Sequence, residues 1–308
     1  MALTSGTGVG YKVEASWGAG ATIGTVLPVT DDPTFTPTFD IIRDQARRDG
    51  IAAVDFKNLQ GAAVSDISLA GLAYPEEVGD LIQAMMGGYG VTGSGPYTHT
   101  FTLGGSPKSY CFEFVNPTQT RKFAGCVESD LGFTFSAGEG ALAWTSSWQA
   151  KEPTAITATS ITDATAAPFL GWEGSLTIGG GADTTLVSGE ITMARALNVL
   201  HTAQASQDPA RIDADRLEVT ASLVFDYAEA AYLRFLNHTE NAVVLTFTKG
   251  TKSLKFQMTN FAWGDEAATY DLGDATIRIN MTGRAQYNTT DAGPVKIILI
   301  NNEATYVS

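Results

Sequence analysis

The chain has 308 residues, of which 32 are glycine and 17% are charged, and its formal net charge is −14. This length leaves room for two domains, and Thr, Val, Ile, Phe and Tyr are spread throughout, which favours strands over helices. The 19 Lys and Arg residues form no basic run longer than two, which argues against binding nucleic acid by neutralising its phosphates.

The amino-terminal stretch MALTSGTGVGYKVEAS has neither the basic nor the apolar region of a secretory signal. No later window approaches 18 uninterrupted apolar residues, the length that a membrane-spanning helix needs. We therefore expect a soluble protein that is made in the cytoplasm and has no membrane association.

Residues that could carry chemistry are few and dispersed. Cys111 and Cys126 are too few for a disulfide scaffold and lack zinc-ligand spacing. The histidines, His99, His201 and His238, are far apart, and no GxSxG motif occurs. The sequence thus predicts no catalytic residue, no metal site and no cofactor.

Residues 1–150 are predicted to form a first β-rich domain. A long polar loop, 30–63, leads into a strand and then a helix, in which Pro75 suits the first turn and an apolar stripe follows. A glycine-rich insertion, 87–105, separates this helix from a hairpin and a closing pair of strands.

The remaining chain divides at changes of composition. A Thr- and Ala-rich linker at 151–168 is followed by a second predicted domain at 169–287. The arm at 288–308 contains a β-favouring run, Val295 to Ile300, which could add a strand to its own sheet or to that of a neighbour.

The second domain repeats the pattern of the first. Aligning Phe114 with Phe247 gives an offset of 133, and aligning Ile67 with Val219 gives an offset of 152. The two offsets differ by 19, which is the length of the insertion from Gly87 to Gly105. We interpret the chain as one β-rich unit that occurs twice.

The first hairpin has a predicted register. If Phe114 lies opposite Phe123, then Cys111 lies directly opposite Cys126. Thiols that are neighbours in this way could form a disulfide, but a protein made in the cytoplasm is expected to keep them reduced.

Several stretches carry a family resemblance: GYKVEASWGAGAT, VLPVTDDPTFTP, YPEEVGDLIQAMMG and AGCVESDLGFTFSAGEGALAWTSSWQAKEP. Together they resemble the major tail tube protein of long, flexible-tailed (siphovirus-type) bacteriophages, more closely over residues 8–153 than over 170–287. The resemblance implies a mainly β fold with two tandem tail-tube-type domains. Each would be a β-sandwich or half-barrel with one short flanking helix.

The resemblance also implies an assembly in the virion tail. In that family six units form a ring, the inner strands make a continuous barrel, and stacked rings form a conduit for DNA ejection. The implied partners are further copies of this chain, the tape-measure and tail terminator proteins, and DNA in transit.

Two units per chain change the expected number of chains in a ring. With about four inner strands per unit, spaced about 4.8 Å and tilted about 40°, six units give a backbone diameter of about 48 Å and a lumen of about 36–38 Å. Three units would leave only about 12–14 Å. We therefore expect a homotrimeric ring with pseudo-sixfold symmetry.

Strand alternation and the resemblance select two sets of candidate residues. Those expected to face the lumen are Glu128, Asp130, Thr134, Thr145, Ser147, Gln149, Arg278 and Asn280. Those expected to reach the adjacent ring are Phe35, Phe39, Ile41, Ile42, Leu197, Val199 and Leu200. The first set could instead lie on an outer surface, and the second could belong to self-packed Ω-loops or hairpins.

A second class of function stays open at this point. A carbohydrate-binding β-sandwich module on a virion or cell surface could use exposed aromatic side chains such as Trp17 or Trp172.

Overall fold

The computed structural model describes residues 7–46, 54–138, 140–159, 166–227, 229–237, 240–264, 269–271 and 277–306. Within these residues the protein is mainly β, as predicted, with two short α-helices, α1 (Val78–Met86) and α2 (Glu229–Leu236). The strands are β1 (Gly8–Val13), β2 (Thr25–Leu27), β3 (Thr34–Asp44), β4 (Lys57–Leu72), β5 (Gly87–Thr92), β6 (Tyr97–Leu103), β7 (Tyr110–Val115), β8 (Thr120–Ser136), β9 (Ala143–Ala150), β10 (Thr154–Ile156), β11 (Gly174–Ile178), β12 (Gly181–Asp183), β13 (Leu186–Leu200), β14 (Arg211–Asp226), β15 (Glu240–Lys249), β16 (Lys252–Trp263), β17 (Thr269–Asp271), β18 (Arg278–Ala285) and β19 (Lys296–Asn301).

The first half of the chain, up to β10, forms two layers that share β8. The carboxyl part of β8 pairs with β9, which pairs with β4 and then β3. The amino part of β8 pairs with β7 and β10, and β7 continues to β1 and β2. The core lies between the layers, where the rings of Phe112 and Trp148 meet edge to face at 4.9 Å.

The second half of the chain, from β11 onwards, repeats these pairings. The hairpin β13–β14 stands where β3–β4 stands, α2 follows it, and the hairpin β15–β16 corresponds to β7–β8. The pairings of β14 and β16 with β18 correspond to those of β4 and β8 with β9. The pairings of β15 with β11 and of β11 with β12 correspond to those of β7 with β1 and of β1 with β2. Even β10 has a counterpart, because β19 pairs with β16 as β10 pairs with β8.

A single antiparallel ladder joins the halves. β8 pairs with β13 from Asp130 opposite Ala194 to Ser136 opposite Ser188. The result is a continuous sheet of eight strands, in the order β3-β4-β9-β8-β13-β14-β18-β17. We call it the inner sheet.

The carboxyl-terminal arm also joins the two halves. β19 pairs with β16 along one edge and with β6 along the other. β6 belongs to the glycine-rich insertion, which forms the hairpin β5–β6. Beyond β19, the buried ring of Tyr306 lies against Gly79 of α1, and its hydroxyl donates to the Glu76 carbonyl at 2.6 Å. The arm therefore adds its strand to the sheet of its own chain.

The two aligned hairpins share one register, which differs from the predicted one by two residues. Phe112 lies opposite Phe123 in the first hairpin. At the same offset of 133, Leu245 lies opposite Phe256 in the second. The prediction of Phe114 opposite Phe123 was wrong, but the identical shift in both hairpins keeps their correspondence.

The predicted juxtaposition of the two cysteines was also wrong. The two-residue shift alone would place Cys126 opposite Ser109, and a bulge of β8 at Gly125, which has a φ of +67°, places it opposite Tyr110; neither position is opposite Cys111. Both cysteines are free and buried. A bulge inserts a residue into one strand, so register arithmetic that assumes an unbroken ladder fails beyond it.

The long polar segments are hairpins, not loops. Residues 34–44 and 57–63, within the loop predicted at 30–63, belong to β3 and β4. The segment around Leu197 likewise belongs to the hairpin β13–β14. The alternation that identifies a strand is missing because most side chains of β3 are exposed on both faces of the hairpin.

Candidate functional site

One face of the inner sheet packs into the core and the other is polar. Cross-strand partners share a face, so the side chains opposite one another define it. On the polar face Asp66 lies opposite Gln149, and Thr134 is flanked by Ala143 and Glu190. On the core face Phe133 is flanked by Trp144 and Ile191.

The polar face gathers seven of the eight residues predicted to face a lumen. They come from β8, β9 and β18, namely Asp130, Thr134, Thr145, Ser147, Gln149, Arg278 and Asn280. Sequence reasoning missed the contributions of β4, β13 and β14 to the same face, namely Asp66, Ser68, Glu190, Thr192, Glu218, Thr220, Ser222 and Asp226. The alternation of these three strands, read in the same way, contains that signal.

Glu128, the eighth predicted residue, lies on the opposite face. Its partner is Trp148, whereas Asp130 pairs with Ser147, because a bulge at Ser129 shifts the register by one residue. Glu128 is 0% exposed, and neither carboxyl oxygen has a hydrogen-bond partner. Burial raises the pKa of this carboxyl well above its ordinary value, with a smaller contribution from Asp130. The assignment of Glu128 to the lumen is therefore wrong.

The charges on the polar face are mainly negative. Its carboxylates include Asp66, Asp130, Glu190, Glu218 and Asp226, and its cations include Arg278 and Arg284. Arg284 forms an ion pair with Glu218 at 2.9 Å, so its charge is already compensated within the face. Such a surface offers few contacts to the phosphates of a passing nucleic acid.

The first long hairpin, β3–β4, exposes apolar side chains near its distal end. Phe39, Ile41 and Ile42 are 36%, 64% and 55% exposed. Phe35 lies elsewhere, stacked on Phe123 at 4.8 Å and close to Phe114 at 5.1 Å. Phe35 therefore contributes to the body of the first half and not to the hairpin's distal end.

The second long hairpin, β13–β14, lies closer to its own chain. Leu197, Val199 and Leu200 are all partly buried. The loop between its strands bonds to the first hairpin, since Ala63 donates its N–H to the Gln207 carbonyl at 2.9 Å. The predicted inter-ring residues thus fall into one exposed group and one that is partly covered.

The inner sheet ends in two edges with no strand partner among the described residues. At one end β3 pairs only with β4, and at the other β17 pairs only with β18. An unpaired edge presents backbone N–H and C=O groups to another chain. These two edges are the sites at which the sheet could continue.

Buried carboxylates hold the two bulges that shape β8 and β16. Glu14 accepts hydrogen bonds from the N–H groups of Gly18, Gly20 and Gly125 at 2.8–3.0 Å and from the Ser109 hydroxyl at 2.8 Å. In the second half the bulge on β16 donates its N–H to another buried carboxylate, Asp291.

Asp291 is held by several donors. It accepts hydrogen bonds from Asn288 at 2.9 Å, Gln257 at 2.8 Å and the Thr259 N–H at 2.7 Å. Burial acts to raise the pKa of Asp291, but these hydrogen bonds outweigh it and hold the pKa below its ordinary value.

Beside α1 an acidic cavity of about 250 Å³ contains Glu77 and Asp80. Burial raises the pKa of each carboxyl to about 7. Asp80 accepts hydrogen bonds from the hydroxyls of Tyr11 at 3.0 Å and Tyr110 at 3.2 Å. Through these two hydrogen bonds, α1 is held against β1 and β7. Neither hydrogen bond connects a general base to a nucleophile.

The histidines and tryptophans singled out from the sequence have varied surroundings. His99 is buried and hydrogen-bonded to Tyr89 and Asn301, and His238 lies outside the described residues. Trp17 is partly buried beneath the Lys151 ammonium group, which lies 4.7 Å from the ring centre, while Trp172 is 67% exposed.

Among the described residues, no three His, Cys, Asp or Glu side chains are grouped so that they could hold a metal ion. In the same part of the chain, neither helix has the length and apolar character needed to cross a membrane.

Comparison with known proteins identifies the family. A family model described as phage tail tube protein matches residues 4–291. No curated protein matches the sequence. The family match extends over nearly the whole chain and covers both halves, in accord with the β-rich fold. The chain therefore belongs to the phage tail tube protein family, as a structural component of the virion tail that self-assembles into a tube.

Proposed function

We propose that the chain consists of two tandem tail-tube units and that three copies close a ring with pseudo-sixfold symmetry. The observation that carries the proposal is the β8–β13 ladder, by which the inner sheet of one unit continues into the next. Repeating this step between chains joins β17 of one copy to β3 of the next. The inner sheet has eight strands per chain, which is four strands for each of the two units. This is the number assumed in the estimate of the lumen.

The register of the intermolecular ladder follows from the ladder inside the chain. There Thr134 of β8 lies opposite Glu190 of β13. Thr269 corresponds to Thr134, because Thr269 lies opposite Asn280 of β18 and Thr134 lies opposite the aligned Ala143 of β9. Asp32 corresponds to Glu190, because Thr34 and Thr192 pair with the aligned residues of β4 and β14. Asp32 of one copy should therefore lie opposite Thr269 of the next.

The polar face of the inner sheet then lines the lumen. The core occupies the other face, so closing the sheet with the core outside leaves the polar face inside. Carboxylates and small hydroxyl side chains there would let DNA pass without binding its phosphates. We propose that the role of this wall is passive and that the protein has no enzymatic activity.

Stacking of the rings is assigned to the first long hairpin. Its exposed Phe39, Ile41 and Ile42 would otherwise remain in water, and contact with the adjacent ring would bury them. At the ends of the tube the same surfaces would meet the tape-measure and tail terminator proteins. Synthesis of the chain is placed in the host cytoplasm.

Cysteine cross-linking tests both the ladder and the number of chains. We expect assembled Asp32→Cys/Thr269→Cys protein to form disulfides between chains and to give a non-reducing gel ladder that ends at a covalent trimer. Matched control protein carries Thr38→Cys with Thr269→Cys. The control cysteine lies six residues further along β3, about 20 Å away, and should not cross-link.

Negative-stain images of the purified wild-type chain provide the independent count. We expect hollow tubes whose end views divide into three chains per ring. Six chains per ring, a gel ladder that continues to a hexamer, or a chain that stays monomeric under all assembly conditions would each contradict the proposal.

A further inference from the structure

The helix of the first half is buried at every position except Asp80. Leu81 and Ala84 of α1 are 1% and 0% exposed. The hairpin β5–β6 packs beside the helix, and the Tyr306 ring lies so close to Gly79 that a side chain there would collide with it. Tyr306 follows β19, so part of this cover is supplied by the second half of the chain.

The helix of the second half is partly uncovered. At the offset of 152, Leu233 and Leu236 of α2 correspond to Leu81 and Ala84, yet they are 43% and 49% exposed. In the described part of the second half, no hairpin corresponds to β5–β6, since β15 begins a few residues after α2. Two adjacent leucines on one short helix thus face solvent at positions that are buried in the first half.

The segment that covers α1 has a counterpart in the first half of the chain. β19 pairs with β16 through Lys255 opposite Ile298, and β10 pairs with β8 through Lys122 opposite Thr154. Lys122 and Lys255 correspond at the offset of 133, so β10 is the counterpart of β19. The residues after β10, beginning at Thr157, are therefore the counterpart of the tail that carries Tyr306.

This counterpart is available to another chain. β19 is paired along both edges, whereas β10 pairs only with β8 among the described residues. Ala158, just after β10, is exposed. Inside the chain, the unit that provides β13 to the inner sheet also provides the tail that covers α1. The same step between chains brings the β10 segment of the next copy to α2.

We propose that Leu233 and Leu236 of α2 form a docking surface for a second copy of this chain and that the segment following β10 covers them. The inference rests on the proposed ring and adds to it a second, outer contact between neighbouring chains. The ladder between β17 of one copy and β3 of the next sets the register of the neighbouring chains. The contact at α2 removes apolar helix surface from water.

Cross-linking with Leu236→Cys/Ala158→Cys tests the contact directly in the full-length chain. The two native thiols are buried, so a short bis-maleimide should react mainly with the introduced cysteines. We expect assembled protein to give covalent species up to the trimer. The matched control keeps Leu236 and combines Tyr287→Cys with Ala158→Cys. Tyr287 is 66% exposed but follows the end of β18 remote from α2, so no cross-link between chains is expected.

A substitution provides the second measurement. Leu233→Asp should leave the folded monomer with an unchanged circular dichroism spectrum and melting temperature, but should reduce tube formation at least tenfold. Tyr287→Asp, which also places a carboxylate at an exposed apolar position, should assemble like the wild type.

The outcomes separate the contact from the ring. If assembled rings show the Asp32→Cys/Thr269→Cys disulfide but no cross-link from Leu236→Cys to Ala158→Cys, the docking surface is refuted and the ring stands. If Leu233→Asp assembles as efficiently as the wild type, the docking surface is likewise refuted. Absence of any ring refutes both proposals.

Discussion

The two halves of the chain pair their strands in the same order but enclose their helices differently. α1 is covered by an inserted hairpin and by the carboxyl-terminal tail, whereas α2 keeps Leu233 and Leu236 partly in solvent. In the proposed ring, the first half meets the unit that covers its helix within one chain, and the second half meets the corresponding unit only on assembly. On that proposal, the shared pairings preserve the unit, while the covering segments distinguish a permanent contact from one made between copies.

The largest effect is expected where the two helices are altered at aligned positions. Leu81→Ala should lower the free energy of unfolding of the monomer by about 2–5 kcal/mol, because it leaves a cavity in an enclosed core. Leu233→Ala should change it by less than about 1 kcal/mol, since the side chain is already 43% exposed. Urea unfolding of unassembled protein measures both. Equal losses would mean that α2 is as firmly packed as α1 and would end the distinction between the helices.

The inner strands, the two helices and their repetition could be predicted because each depends on a pattern local in sequence. Phe133 and Phe135 alternate with polar residues, and the two hairpins have the same length. The bulges could not be predicted, because an extra residue does not alter composition and shows only in the ladder. One bulge turned Glu128 into the core, and another moved Cys126 from the position opposite Ser109 to the position opposite Tyr110.

The long hairpins escaped prediction for a different reason. A strand is recognised when one face is buried, and β3 is exposed at most of its positions. The cover over α1 comes from the far end of the chain, where Tyr306 is 227 positions from Gly79. Contacts of that kind depend on the assembled fold and have no signature near the helix.

A smaller effect is expected at Glu14 and Asp291, the carboxylates that bond to the bulges. They come from different parts of the chain in the two halves. Glu14 reaches its bulge from the amino-terminal strand, and Asp291 reaches the other from the loop before β19. Asp291→Asn should lower the free energy of unfolding by about 1.5–3 kcal/mol at pH 7, because one accepting oxygen becomes a donor among donors. Glu14→Gln should cost a similar amount.

The pH dependence of the Asp291 effect has a definite sign. Because hydrogen bonds hold its folded-state pKa below the unfolded value, its contribution is present above the unfolded pKa and is lost as the pH falls through the folded one. The difference between wild type and Asp291→Asn should therefore be full at pH 6–7 and should shrink below about pH 4. A difference that grows on acidification would show that the carboxylate is not held by these donors.

The smallest effect, and one of opposite sign, is expected at Glu128, which the second half replaces by Phe261 at the aligned core position. Its folded-state pKa is raised, so its favourable contribution is present below the unfolded pKa and is lost as the pH rises towards the folded one. Glu128→Gln, which cannot ionise, should be more stable than the wild type by about 1 kcal/mol at neutral pH. That advantage should increase from pH 5 to pH 8, by no more than about 1.4 kcal/mol per pH unit. Glu77 and Asp80 also have raised pKa values, but they are present in both proteins and cancel in the comparison. Thermal or urea unfolding across this range gives the difference directly, and a difference that stays constant from pH 5 to pH 8 would mean that the carboxylate is exposed to solvent and not buried.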